Sequence, residues 1–128
     1  MVAVVATVAA PPIVALGFVT NAALPQVGGA ALLTAGVWAT ATVTGIDGRR
    51  RTSDHVTRSL LAVCAAAPVV PMVLAVLWAA AQHWPIPALD IPAMAQIHGA
   101  VNFAGFVGCG LLGYRRLRIT ELEAAECW

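Results

Sequence analysis

The sequence predicts an all-α integral membrane bundle of four transmembrane helices with no sheet, organised as one membrane domain over residues 1–128. Three observations predict it. The chain is 60% hydrophobic and 10% charged, with a mean hydropathy of +0.85, which leaves too little charged surface for a water-soluble domain of 128 residues. Its apolar residues gather into four runs of roughly 18–24 residues, long enough at about 1.5 Å per residue to cross a hydrocarbon core of about 30 Å. The seven basic residues are all arginines, Arg49, Arg50, Arg51, Arg58, Arg115, Arg116 and Arg118, and they occupy one connection and the C-terminal tail. In that arrangement they are topology anchors, and the net charge of +1 gives no reason to expect a nucleic-acid partner.

Val2 to Thr20 forms the first span, with Pro11 and Pro12 near its middle. Proline removes a backbone donor and crowds the preceding turn, so a kink is expected there, with Thr7 bonding the backbone at the bend. No basic residues precede this run, and a cleaved signal peptide is not expected. Asn21 to Gln26, with Pro25, reads as a short turn. Val27 to Ile46 forms the second span, in which Gly29 and Gly36 lie on one face and suit close helix packing. Its threonines, Thr34, Thr40, Thr42 and Thr44, either line a channel or bond back to their own helix.

Asp47 to Arg58, DGRRRTSDHVTR, is the only long polar stretch and reads as a cytoplasmic loop. Its arginines can touch anionic headgroups, at about 1 kcal/mol each. The adjacency Ser53-Asp54-His55 contains the residue types of a hydrolase triad, but a triad is assembled by geometry from distant positions. Ser59 to Gln82 forms the third span, where Pro68 and Pro71 predict a second kink near mid-membrane. His83 to Pro92 is a proline-rich connection with tryptophans at the interface, and Asp90 is placed to cap the helix that follows.

Ala93 to Tyr114 forms the fourth span. At 100° per residue, Ala95, His98, Asn102, Gly105, Cys109 and Gly113 fall on one stripe, opposite Ala100, Phe103, Ala104, Val107 and Leu111. Small and polar residues mark the face that packs against protein, so Gly105, Cys109 and Gly113 read as packing positions. Asn102 lies roughly 14 Å into the span, where an unpaired amide costs several kcal/mol, and it needs a partner. His98 and Asn102 either line a polar site or hold the bundle in register. Asp90 would join such a site by pairing with His98 or His83 at the mouth of the bundle. Arg115 to Trp128 reads as a cytoplasmic tail, a short surface helix or frayed end.

With the arginine-bearing loop and tail inside, an even number of spans puts both termini in the cytoplasm of the inner (plasma) membrane. Cys64, Cys109 and Cys127 show no metal-ligand spacing and read as free thiols. No cofactor, metal or catalytic residue is expected, and the partners are the lipid bilayer and either a second copy or other membrane helices.

The fourth segment also resembles a known family. Leu89-Asp90-Ile91-Pro92, Met94, His98-Gly99, Asn102, Gly105-Phe106 and Gly110-Leu111-Leu112-Gly113 are similar to the C-terminal signature of the YndJ-like bacterial membrane proteins, LDxPxM, THGxLNAxGF and GLLGW. The departures are Ile97 for threonine, Val101 for leucine and Tyr114 for tryptophan, and the likeness covers about residues 85 to 117. It implies a polytopic bacterial membrane protein, either a short relative or the C-terminal part of a longer one, and it lends no catalytic residues. Three function classes follow. The first is a non-enzymatic bundle whose polar stripe packs the helices or binds a small ligand. The second is a small-molecule or proton-coupled transporter component acting as an oligomer, with His98 titrating. The third, a membrane enzyme or haem protein, would need more histidine at membrane depth than His98 alone provides.

Overall fold

The computed structural model describes residues 2–126, which are all-helical with no strand among them. In chain order they form α1 (Val2–Thr20), α2 (Ala23–Arg51), α3 (His55–Ala66), α4 (Val69–Ala81), α5 (Ile91–Val101), a π-helical segment (Asn102–Gly108) and α6 (Cys109–Glu126). Four helical stretches are long and apolar enough to cross a membrane: Val2–Thr20, Ala23–Arg51, His55–Ala81 and Ile91–Thr120. Cys127 lies outside the described residues, and Cys64 and Cys109 are both free thiols.

α1 has the bounds of the first apolar run, while the other three helical stretches begin before or end after theirs, because local chemistry carries them past the hydrophobic boundary. The turn expected over Asn21 to Gln26 shrinks to two residues. Asn21 adopts a left-handed φ of 51°, a conformation its short polar side chain tolerates. The amides of Asn21 and Ala22 then bond back to the carbonyls of Phe18 (3.3 Å) and Gly17 (3.0 Å), which closes α1 with a Schellman cap. Pro25 falls in the first turn of α2, where a missing N–H costs nothing.

The expected loop over Asp47 to Arg58 is also mostly helix. Arg51 pairs with Asp47 one turn back at 2.9 Å, and three arginines in the last turn of α2 suit its negative end. Only Thr52 to Asp54 lies outside a helix. Asp54 caps α3, accepting from the Thr57 amide at 2.9 Å and from the Thr57 hydroxyl. Those bonds, and more weakly Arg116, hold its carboxyl below the ordinary value of 3.8. His55, placed by sequence in a solvated loop, is the exposed first residue of α3. The tail likewise is no separate element: α6 runs through Arg115 to Glu126.

The two proline pairs behave differently. α1 continues through Pro11 and Pro12, and Thr7 bonds the Ala3 carbonyl at 2.9 Å, a turn before the carbonyls those prolines free. Pro68 ends one helix and starts another, so the third apolar run is two helices joined at Ala67-Pro68.

Packing uses small residues. The buried apolar side chains include Ala10, Ala30, Ala41 and Ala79, with Leu61 and Leu117 as large exceptions, while Val19, Leu24, Phe103 and Leu111 are 68–86% exposed. Glycines let the backbones meet. A Cβ on Gly29 would lie 2.9 Å from the Val14 nitrogen and 2.8 Å from its side chain, whereas one on Gly28 would meet nothing within 4 Å. Leu61 of α3, fully buried, lies in the hollows left by Gly48 of α2 and Gly113 of α6. Thr34 and Thr40 bond back to the carbonyls of Ala30 and Gly36.

These contacts predict opposite outcomes for neighbouring positions. Gly29→Ala should lower stability by about 1–3 kcal/mol because the backbone of α1 must retreat. Gly28→Ala should leave it unchanged or raise it by up to about 1 kcal/mol. Thermal unfolding of both variants in detergent checks the pair, and equal midpoints would contradict the packing described.

Candidate functional site

The site begins with the proline turn at the start of α4. Pro68 and Pro71 lack amide donors, so the carbonyls of Cys64 and Ala67 lose their helical partners and the chain opens. Side chains from two neighbouring helices hold carbonyls at this opening. The Trp38 indole nitrogen of α2 donates to the Pro68 carbonyl at 3.3 Å. Thr34 of α2, bonded to Ala30, also approaches the Met72 carbonyl at 3.4 Å. From the other side His98 of α5 bonds the Pro71 carbonyl through Nδ1 at 3.1 Å.

A carbonyl only accepts, so His98 Nδ1 carries hydrogen. In the neutral ring Nε2 is then an acceptor, and it faces the Asn102 amide nitrogen at 3.4 Å. That nitrogen also approaches the Met72 sulfur at 4.0 Å. The Asn102 Oδ1 is buried with no partner. Turning the amide over would present this oxygen to Nε2, which would satisfy it only if Nε2 also carried a proton.

Asn102 is also where the helix changes. It opens the π-helical segment, in which Gly105 sits directly against Ala67 at the proline turn. π-Segments within helices recur at functional sites. Here the widened turn faces the broken one. Cys109 follows the segment half-buried, and Gly113 packs on Leu61.

Beside His98 lies an apolar cavity of about 290 Å³ to which four helices contribute: Val14 and Phe18 of α1, Ala30 and Leu33 of α2, Met72, Ala75, Trp78 and Ala79 of α4, and Ile91, Met94, Ala95 and His98 of α5. Phe18 and Trp78 meet in its wall as a tilted aromatic pair, centroids 5.7 Å apart. His98 is the one titratable residue among these lining side chains.

The remaining candidates lie elsewhere. The exposed Asp90 carboxylate accepts from the Ala93 amide at 2.7 Å as the cap of α5, and no bond joins it to either histidine. His83 pairs through Nε2 with Gln26 Oε1 at 2.9 Å. Gln26 is 1% exposed and its Nε2 is buried without a partner. It lies under Gly17, and sequence reasoning missed it by assigning it to a turn. The signal available was an amide next to Pro25, in the first turns of α2. Among the described residues no three His, Cys, Asp or Glu side chains converge as a metal site.

If the bond to Pro71 holds the fourth helix on the third, His98→Ala should cost roughly 0.6–1.7 kcal/mol of stability. Gln96→Ala, an exposed position two residues earlier, should change it by no more than about 0.5 kcal/mol. Unfolding of both in one detergent checks this, and equal losses would remove His98 as a fastener.

A family model for the YndJ-like proteins matches residues 1–106, which takes in α1 to α5, His98 and Asn102. The match reaches far beyond the quarter of the chain that carried the resemblance, and it ends before the Gly110 to Gly113 motif counted in it. No curated protein and no solved structure matches the chain. With the model matching more than four-fifths of its length, the chain belongs to the YndJ-like protein family.

Proposed function

We infer that this chain is a multi-pass inner-membrane protein with both termini in the cytoplasm, and that it binds a small, mostly apolar ligand, without catalysis, in the cavity beside His98. The membrane placement is supported by the outward display of large apolar side chains such as Val19, Leu24, Phe103 and Leu111 over a core of alanine and glycine. In water that surface would be a liability, whereas in hydrocarbon it costs nothing. The topology is supported by the arginines, which cluster at the α2–α3 junction and along α6, while the connections after α1 and α4 carry none.

The observation that carries the binding reading is the cavity itself. Its volume suits a molecule of small-ligand size, its walls are apolar, and the single titratable group is placed at one side with the Asn102 amide behind it. A ligand with a hydrocarbon body would bury it against Met72, Trp78 and Met94 and lie along the face of the imidazole, whose two nitrogens are already engaged by the Pro71 carbonyl and the Asn102 amide. His98 and Asn102 then both fasten the bundle and orient the ligand, while Gly105, Cys109 and Gly113 bring the fourth helix close to the third. The arrangement needs no cofactor.

Two experiments check the reading. In a variant with all cysteines replaced by serine, Ser53→Cys should react with a membrane-impermeant maleimide only in inverted vesicles, and Ala88→Cys only in right-side-out ones. The reverse pattern would turn the topology over. For the cavity, a medium-chain alcohol bearing an alkyl diazirine should photolabel peptides containing Met72, Trp78 or Met94, and Ala75→Phe, which fills the space, should abolish that labelling. Labelling spread evenly over the outward apolar faces, unaffected by Ala75→Phe, would rule the cavity out as a binding site.

A further inference from the structure

A second place for a ligand lies at the arginine-bearing end of α2 and α3, away from the His98 cavity, where two hollows adjoin. One, of about 320 Å³, is lined by Arg49 of α2, Ser53 of the linker, and His55, Arg58, Ser59 and Ala62 of α3. The other, of about 430 Å³, shares Arg49 and Ala62 with the first and runs on between the same helices past Gly45, Ile46, Ala65 and Ala66. The first hollow is cationic and rich in hydroxyls. The second, lined also by Thr42, is mostly apolar away from Arg49, and it exists because both helices present small residues there.

The charges in the first hollow are available. Arg51 is held by Asp47 and Arg116 faces Asp54, but among the described residues Arg49 and Arg58 have no carboxylate within ion-pair distance. Asp54, the acid next to this hollow in sequence, is turned to Thr57 and Arg116. Two guanidinium groups flanked by serine hydroxyls match a phosphate, with strong charge-assisted hydrogen bonds. A soluble phosphate would fill only this hollow and leave the apolar one open. A molecule with a phosphate at one end and a hydrocarbon chain at the other fills both.

We propose that this pair of hollows binds one anionic phospholipid, its phosphate between Arg49 and Arg58 and one acyl chain along the groove at Gly45 and Ala65. The site rests on the membrane reading given above, and basic pockets between helices at a membrane surface are suited to such headgroups.

The test is native mass spectrometry of the full chain purified in detergent and incubated with equal amounts of dioleoylphosphatidylglycerol and dioleoylphosphatidylcholine. One phosphatidylglycerol should be retained with a preference of about tenfold. The double variant R49Q/R58Q should reduce that preference to about twofold or less, while R115Q/R118Q, which removes as much charge outside the hollow, should keep it. A62L, which narrows the junction of the two hollows without changing charge, should also lower retention. Equal loss in R115Q/R118Q would overturn the proposal in favour of diffuse surface charge. Displacement of the lipid by millimolar inorganic phosphate would overturn it in favour of a soluble ligand, and equal retention of both lipids by the unmodified chain would overturn it outright. Circular dichroism of each variant confirms the helices. Flotation with phosphatidylcholine vesicles after alkaline carbonate washing tests membrane insertion separately, so failure there is distinguishable from failure of the lipid site.

Discussion

The architecture depends on how the third apolar run survives its own prolines. Pro68 and Pro71 break the ladder of helical hydrogen bonds in the middle of the third apolar run, at prolines that are themselves fully buried. Trp38, Thr34 and His98 meet that break with side chains from both flanking helices, aimed at the carbonyls of Pro68, Met72 and Pro71. These bonds do not replace the ones the prolines remove, which fall on the carbonyls of Cys64 and Ala67, but they tie α2 and α5 to the turn. A small core of alanines and glycines supplies close contact, but contact alone does not fix register. The bonds at the proline turn do.

That constraint explains why the π-segment is where it is. The helix opposite a break has to follow an irregular surface, and widening one turn at Asn102 brings Gly105 down onto Ala67 while His98, one turn earlier, keeps its grip on Pro71. Two irregularities in adjacent helices thus fit each other. The cavity lies next to this fit, lined by the same Met72 and His98, so the polar group a ligand would meet is also the group that holds the helices together.

Much of the architecture was legible in the residues. The four apolar runs mark four long helices, Asp90 caps the fourth, and the Pro68 and Pro71 pair marks a real break, because each rests on local chemistry that tertiary structure does not override. Helix ends were not legible from hydropathy. Arg49 to Arg51 and Arg115 to Glu126 are polar yet helical, since hydropathy reports the surroundings of a residue and not its backbone. Of the polar residues, His98 and Asn102 lie together as a one-turn spacing requires, but their outside partner is a backbone carbonyl, which carries no sequence signal. Gln26 had an amide beside Pro25 to mark it, but its burial under Gly17 follows from the two-residue turn at Asn21, and helical periodicity says nothing of that turn.

The unbroken continuation of α6 has a mechanical consequence. From Cys109 to Glu126 the helix is ~27 Å long at about 1.5 Å per residue, and it continues directly from the π-segment. Its first half is held against α3, where Gly110 meets Cys64, Gly113 meets Leu61 and Leu117 is buried. On the same stretch the partly exposed Arg116–Asp54 pair adds a light restraint to that packing. Arg115, Arg116 and Arg118 are thereby displayed at fixed angles on one rigid helix that grows directly out of the fourth apolar run, and not on a loose tail.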